Sequence, residues 1–280
     1  MTNQLGEQYE LKRKLINNSA EVLERMLKFA KDYKPSKEEV EEPLNTTTTS
    51  SEDLEDKVGE SRIITSDDYW TIQNVNYQGK IQSVDLSKKI SILRNFNDMI
   101  KKIKKAKADG FITVSMRDTY SLFKAVYESK DKSKEEIRSF LKKKMKDSQL
   151  NTTTTIQYNK QSIFSSRNVD EIIHDYNLPN VDNIPQKFIG PNEFVKDSNE
   201  IDLYGNLLGS KDVNEINTVF NWITGKDLKM LRLNYKGIFG ILKIVSLVSS
   251  NDYQILNCNG DYSNKSNVSL LVRLSVGGKK

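Results

Sequence analysis

The chain has 280 residues, 36% of them hydrophobic and 29% charged, with 43 basic and 38 acidic side chains for a net charge of +5. A single cysteine, Cys258, excludes an internal disulfide framework, and a single histidine, His174, excludes any site that needs two. No run approaches the roughly 18 apolar residues of a transmembrane helix, and the N-terminus lacks the basic and apolar regions of a secretion signal, so an intracellular protein without membrane contact is expected.

Over residues 7–33, Leu11, Leu15, Val22, Met26 and Ala30 recur at helical steps. Residues 1–33 are therefore predicted to form an amphipathic helix that packs on the body, pairs with a second copy or binds a protein partner. Residues 34–62 follow as an acidic linker with two prolines and a threonine tract, too poor in large apolar side chains to offset its ordering entropy. Disorder is the expectation there.

From 63 to 84, β-branched and aromatic residues dominate, and Gln78 and Gly79 supply a turn, so a two-stranded hairpin is predicted. Residues 86–148 then carry 18 basic against 8 acidic side chains, a local net of +10 inside a remainder that sums to −5. Three amphipathic helices are read in this block. The first spans 86–108, with Ile90, Leu93, Phe96, Met99, Ile100 and Ile103 on one face. The second starts from the capping pattern at Ser115 and buries Met116, Tyr120, Phe123 and Val126. The third starts from the pattern Ser133, Lys134, Glu135, Glu136 and buries Ile137, Phe140, Leu141 and Met145. Residues 63–148 thus read as a hairpin plus a basic trihelical module of helix-turn-helix type.

Residues 149–187, with a second threonine tract, Pro179 and Pro185, read as a polar linker holding a short helix near 169–176. Residues 188–280 read as an α+β domain. Asp212 caps a helix closed by Gly225, and strands at 228–235, 238–248, 253–258 and 268–276 form an antiparallel sheet. The predicted fold class for the whole chain is α+β.

The basic block suggests the function. Lys101, Lys102, Lys104, Lys105 and Lys107, then Lys142, Lys143, Lys144 and Lys146, are the candidate phosphate contacts. Lysine outnumbers arginine among them, which suits attraction to a phosphate backbone over bidentate base readout. A non-catalytic nucleic-acid-associated accessory protein of low sequence specificity is expected, binding DNA or RNA. The alternative is an adaptor or assembly protein, of a layout common in viral accessory and phosphoprotein-type cofactors, that holds protein partners through the N-terminal helix or the C-terminal domain and touches no nucleic acid.

Catalytic residues, metals and cofactors are not predicted: no phosphate loop or dinucleotide fingerprint occurs. His174 among Asp170 and Asp175 reads as surface, Cys258 as a buried strand residue, and Trp70 and Trp222 as core anchors. Residues 113–120, Thr-Val-Ser-Met-Arg-Asp-Thr-Tyr, resemble the Arg-Asp-x-Tyr segment of the DNA-cleaving A subunit of type VI topoisomerases, in which a tyrosine attacks a DNA phosphate. That resemblance covers about 40 residues and would make Tyr120 the first of the family's paired tyrosines. The second position is Ser121, and the family's Asp-x-Asp pair occurs nowhere in the chain. At helical spacing Tyr120 also shares the apolar face of Met116 and Phe123, which makes it a core tyrosine.

Overall fold

The computed structural model describes residues 61–93, 110–161, 168–176, 181–188, 190–233, 241–260 and 267–275. All of them belong to one compact unit, Glu55–Lys280. The predicted helix at 1–33 and nearly all of the acidic linker lie outside the described residues. The last two linker positions, 61 and 62, already belong to the fold: the Ser61 hydroxyl donates to the Gln73 carbonyl, and the Gln73 N–H donates to the Arg62 carbonyl.

The predicted hairpin forms as β2 (Tyr69–Tyr77) and β3 (Lys80–Ser87). Gln78 and Gly79 both take positive φ, 52° and 76°, the pair of left-handed residues whose twist matches a two-residue hairpin. Trp70 and Ile72 point inward two residues apart, and so do Val75 and Tyr77. A register shift between Ile72 and Val75, with Asn74 at φ 57°, moves the alternation by one residue so that both pairs face the core. β1 (Ile63–Thr65) flanks β2, and β13 (Val272–Leu274) flanks β3, giving a four-stranded antiparallel sheet in the order β1-β2-β3-β13. Across it, Asp85 accepts from Thr71 at 2.7 Å and from Arg273 Nε at 3.0 Å.

The first predicted helix does not form as read. Its opening residues belong to β3 and to β4 (Ser91–Leu93), and the remainder, 94–108, lies outside the described residues. The other two helices are present as α1 (Met116–Glu128) and α2 (Ser133–Asp147). Among the described residues no trihelical module forms. α1 instead lays its buried face against β2 and against α3 (Ile201–Leu208), a helix the sequence reading missed. Ser115 caps α1 as expected, accepting from the Asp118 N–H. The second expected cap fails: Ser133 is already inside α2, whose N-cap is Lys132 with no side-chain cap. Asp131, which accepts from the Ile63 N–H at 2.6 Å, ties this end of the helix to β1 instead.

The largest correction falls on the expected second linker. Residues 149–161 form β5 (Gln149–Gln161), the longest described strand, and the expected helix near 169–176 is the strand β6 (Asn168–His174). With β4, β7 (Asp182–Pro185), β8 (Glu193–Phe194), β9 (Leu228–Leu231), β10 (Ile241–Ser249), β11 (Gln254–Gly260) and β12 (Asn267–Ser269), they build a nine-stranded sheet. Its main path is β4-β12-β5-β10-β11-β9-β8, with β6 on β5 and β7 on β6. The sheet is mixed, because β9–β11 and β5–β12 pair in parallel; the expected antiparallel sheet is corrected accordingly.

The four threonines 152–155 are buried because strand geometry suits β-branched residues and most of their hydroxyls find partners. Thr152 donates to the Val245 carbonyl and Thr153 to Asp175, while Thr154 accepts from the Met116 N–H and bonds His174 Nδ1. Only the Thr155 hydroxyl is left without a partner. The predicted helix after Asp212 appears as α4 (Val213–Thr224), with Asp212 accepting from the N–H groups of Asn214 and Glu215 and Gly225 closing it at φ 78°. α4 and α1 meet through Phe220, stacked on Tyr120 at 6.2 Å and edge-on to Phe123 at 5.8 Å. The architecture is α+β: among the described residues, four helices and two sheets.

Candidate nucleic-acid interface and a polar cleft

The predicted lysines divide. Lys101, Lys102, Lys104, Lys105 and Lys107 lie outside the described residues. Lys142, Lys143, Lys144 and Lys146 lie in the C-terminal half of α2, whose opposite face buries Ile137, Leu141 and Met145. Lys142, Lys143 and Lys146 are exposed, whereas Lys144 is half-buried with its ammonium 5.4 Å from the Phe140 ring.

The helix adds two residues that the sequence reading passed over. Lys134, Arg138, Lys142 and Lys146 recur every four residues and so form one basic row, spanning about 18 Å at 1.5 Å per residue. Beside its first half stands Trp222, half-buried at the end of α4 and in edge contact with Tyr127 at 5.5 Å. The Lys134 ammonium lies 5.9 Å and the Arg138 guanidinium 5.3 Å from its ring centre. Arg138 also donates to the Trp222 carbonyl at 2.6 Å and pairs with Glu135 at 3.1 Å. Among the described residues, Lys142, Lys143 and Lys146 form no ion pair. The four-residue recurrence was present in the sequence and is the signal that could have found the row. The acidic first turn and basic last turn also complement the helix dipole.

A second feature lies where β5 has a gap along one edge. β12 pairs with the start of that edge and β6 with its far half. Between them, Thr153 donates to the Val114 carbonyl and accepts from the Tyr176 N–H, which brings the N-terminus of α1 and the end of β6 together. With the tip of the β2–β3 hairpin they enclose a cleft of about 370 Å3, lined by Gln78, Lys80, Gln82, Ser115, Arg117, Asp118, His174, Asp175, Asp182 and Leu274.

The charged groups of the cleft are ordered. Asp118 spends both carboxylate oxygens inside the protein: Oδ1 accepts from the Gln78 N–H at 2.8 Å and Oδ2 from the Ser115 hydroxyl at 2.7 Å. Burial raises its pKa, and these hydrogen bonds oppose the shift. His174, read from sequence as surface, is 2% exposed. Its Nε2–H donates to the Asn206 carbonyl at 2.9 Å, and Nδ1 accepts from Thr154 at 2.8 Å. Burial pushes its pKa down to about 4, so the ring is neutral at pH 7. Asp175, at φ 51°, is 9% exposed, and burial pushes its pKa up to about 6 against the Thr153 hydrogen bond. Arg117 is paired with Asp182 at 2.6 Å. None of these groups was singled out as a site from the sequence, because Gln78, Lys80, Ser115, Arg117, Asp118, His174, Asp175, Asp182 and Leu274 meet only in the fold.

The segment resembling topoisomerase A subunits is used structurally. Tyr120 is buried, its hydroxyl donates to Glu215 Oε1 at 2.8 Å, and burial raises its pKa. Cys258 is buried, as expected, and Trp70 is a core residue that donates to Glu136. Among the described residues no group of three or more histidine, cysteine or carboxylate side chains is placed to hold a metal, and no helix is long and apolar enough to cross a membrane. Comparison with family models, with curated proteins and with solved structures finds no match.

Proposed function

We propose that this chain is a nucleic-acid-associated protein that holds phosphate backbones without a catalytic step and with little sequence preference. The observation that carries the reading is the basic row of α2. Lys142, Lys143 and Lys146 stand exposed on an ordered helix without carboxylate partners among the described residues, next to Lys134, Arg138 and Trp222. Unpaired ammonium groups release counterions when they meet phosphates, whereas paired ones must first break their own contacts. The preponderance of lysine favours backbone attraction over base readout.

Fluorescence anisotropy of the full chain with random-sequence DNA and RNA, across a salt series, tests this reading. Affinity should fall steeply from low to physiological salt. Converting Lys142, Lys143 and Lys146 together to glutamine should lower the slope of log K against log salt by about 2 on single strands and about 3 on duplexes. No binding at low salt sinks the proposal and leaves the adaptor reading, in which the same helix meets an acidic protein surface. Binding with an unchanged slope in the triple variant moves the contact elsewhere on the chain.

A further inference from the structure

The cleft at the β5 gap contains an oxygen of a buried carboxylate that the protein does not use. Asp175 is nine-tenths buried, and its Oδ1 is held by the Thr153 hydroxyl at 2.8 Å. Its Oδ2 has no hydrogen-bond partner among the described residues, and the residue lines the cleft. The other buried polar side chains of the lining are occupied, both oxygens of Asp118, the Ser115 hydroxyl and both ring nitrogens of His174, while Arg117 pairs with Asp182. We propose that this cleft binds a small molecule carrying a primary ammonium group, with Asp175 Oδ2 as its acceptor and counter-ion.

The surroundings select the charge. An anion at the buried end of the cleft would need free donors there, but the N–H groups of Met116 and Asp118 at the start of α1 are already taken by Thr154 and Ser115, and Lys80 is exposed on the hairpin. A metal ion would need several ligands, and among the described residues no group of three or more histidine, cysteine or carboxylate side chains is placed to hold one. An ammonium group needs one strong acceptor and a negative surround. Asp118, Asp175 and Asp182 outnumber Lys80 and Arg117, and His174 is neutral. A buried carboxylate with an unused oxygen is held at a desolvation cost, and an ammonium partner offsets it. The volume, about 370 Å3, is at the small end for ligand sites, and Leu274 offers an apolar wall for a short carbon chain.

The test is ligand-observed saturation-transfer NMR on the full chain at pH 7.5 with three probes of one length: n-butylamine, n-butanol and butyrate. Butylamine should bind at least tenfold more tightly than the other two. Asp175→Asn should weaken it at least tenfold, and the lysine triple variant of α2 should leave it unchanged. Leu274→Trp, at a half-exposed position that tolerates bulk, narrows the cleft with the carboxylate intact and should also weaken binding tenfold. It keeps the test decisive if Asp175→Asn does not fold. Equal binding of butanol or butyrate, butylamine binding unchanged in Asp175→Asn or in Leu274→Trp, or no binding of any probe overturns the proposal.

Discussion

The threonine tract at 152–155 offers a test in which one substitution has opposite signs at neighbouring positions. Valine matches threonine in shape and strand preference and differs by one hydroxyl. The Thr155 hydroxyl is buried without a partner, a group that carries a desolvation penalty of about 1–3 kcal/mol. Thr155→Val should therefore stabilise the fold by about 1 kcal/mol. The Thr154 hydroxyl accepts from the Met116 N–H and donates to His174 Nδ1, both at 2.8 Å. Thr154→Val orphans two buried groups at once and should destabilise by about 3 kcal/mol. Thr152→Val loses two bonds, the one donated to the Val245 carbonyl and the one accepted from the Thr154 N–H, and should cost about 2 kcal/mol. Urea denaturation of the full chain, followed by the fluorescence of Trp70 and Trp222, reads these differences. With a slope of about 3 kcal/mol per molar urea, the midpoint should rise by about 0.3 M for Thr155→Val and fall by about 1 M for Thr154→Val. If all three variants lie within about 0.5 kcal/mol of the parent, the tract behaves as a solvated linker and the placement of β5 is refuted.

The two titrating neighbours at the end of β6 should oppose each other. His174 has a depressed folded pKa, so its contribution to stability is present above pH 6.5 and is lost as pH falls toward about 4. Asp175 has a raised one, so its contribution is present below pH 3.8 and is lost as pH rises through about 6. Each is worth about 3 kcal/mol across its window, from about 1.4 kcal/mol per pKa unit, and between pH 4 and 6 the two slopes nearly cancel. His174→Gln should therefore lose stability as pH rises through that range, and Asp175→Asn should gain it; denaturation midpoints at pH 4, 5 and 6 that move in parallel for both variants would contradict this. Tyr120→Phe removes the hydrogen bond to Glu215 and should destabilise by about 1 kcal/mol while leaving nucleic-acid affinity unchanged, which parallel denaturation and anisotropy measurements check.

What was legible in the sequence is what local chemistry decides. The hairpin turn at Gln78 and Gly79, the caps at Ser115 and Asp212, and the glycine stop at Gly225 each depend on a few adjacent residues, and all stand where expected. β5 was illegible because polarity argued for a loop, and the partners that bury its hydroxyls come from positions 20 to 93 residues away. The apolar run read as a strand at 268–276 is two strands, since the chain leaves one sheet after Ser269 and enters the other at Val272. The lysines of α2 were found as a local run, and their four-residue continuation to Lys134 and Arg138 was there to be read in the predicted helix; only Trp222 beside them required a second helix packed next to it.

That crossing at residues 270 and 271 has a kinetic consequence. β12 fills an interior place between β4 and β5, and β13 closes the outer edge of β3, with Arg273 meeting Asp85 across 188 residues of chain. Neither sheet is complete until this short segment arrives, and its arrival closes a very long loop. Until then β5 and β3 present open edges that a second copy's equivalent segment fits equally well. Refolding at rising concentration should therefore divert chains into strand-exchanged dimers, and a synthetic peptide spanning residues 267–275 should compete for the same slot.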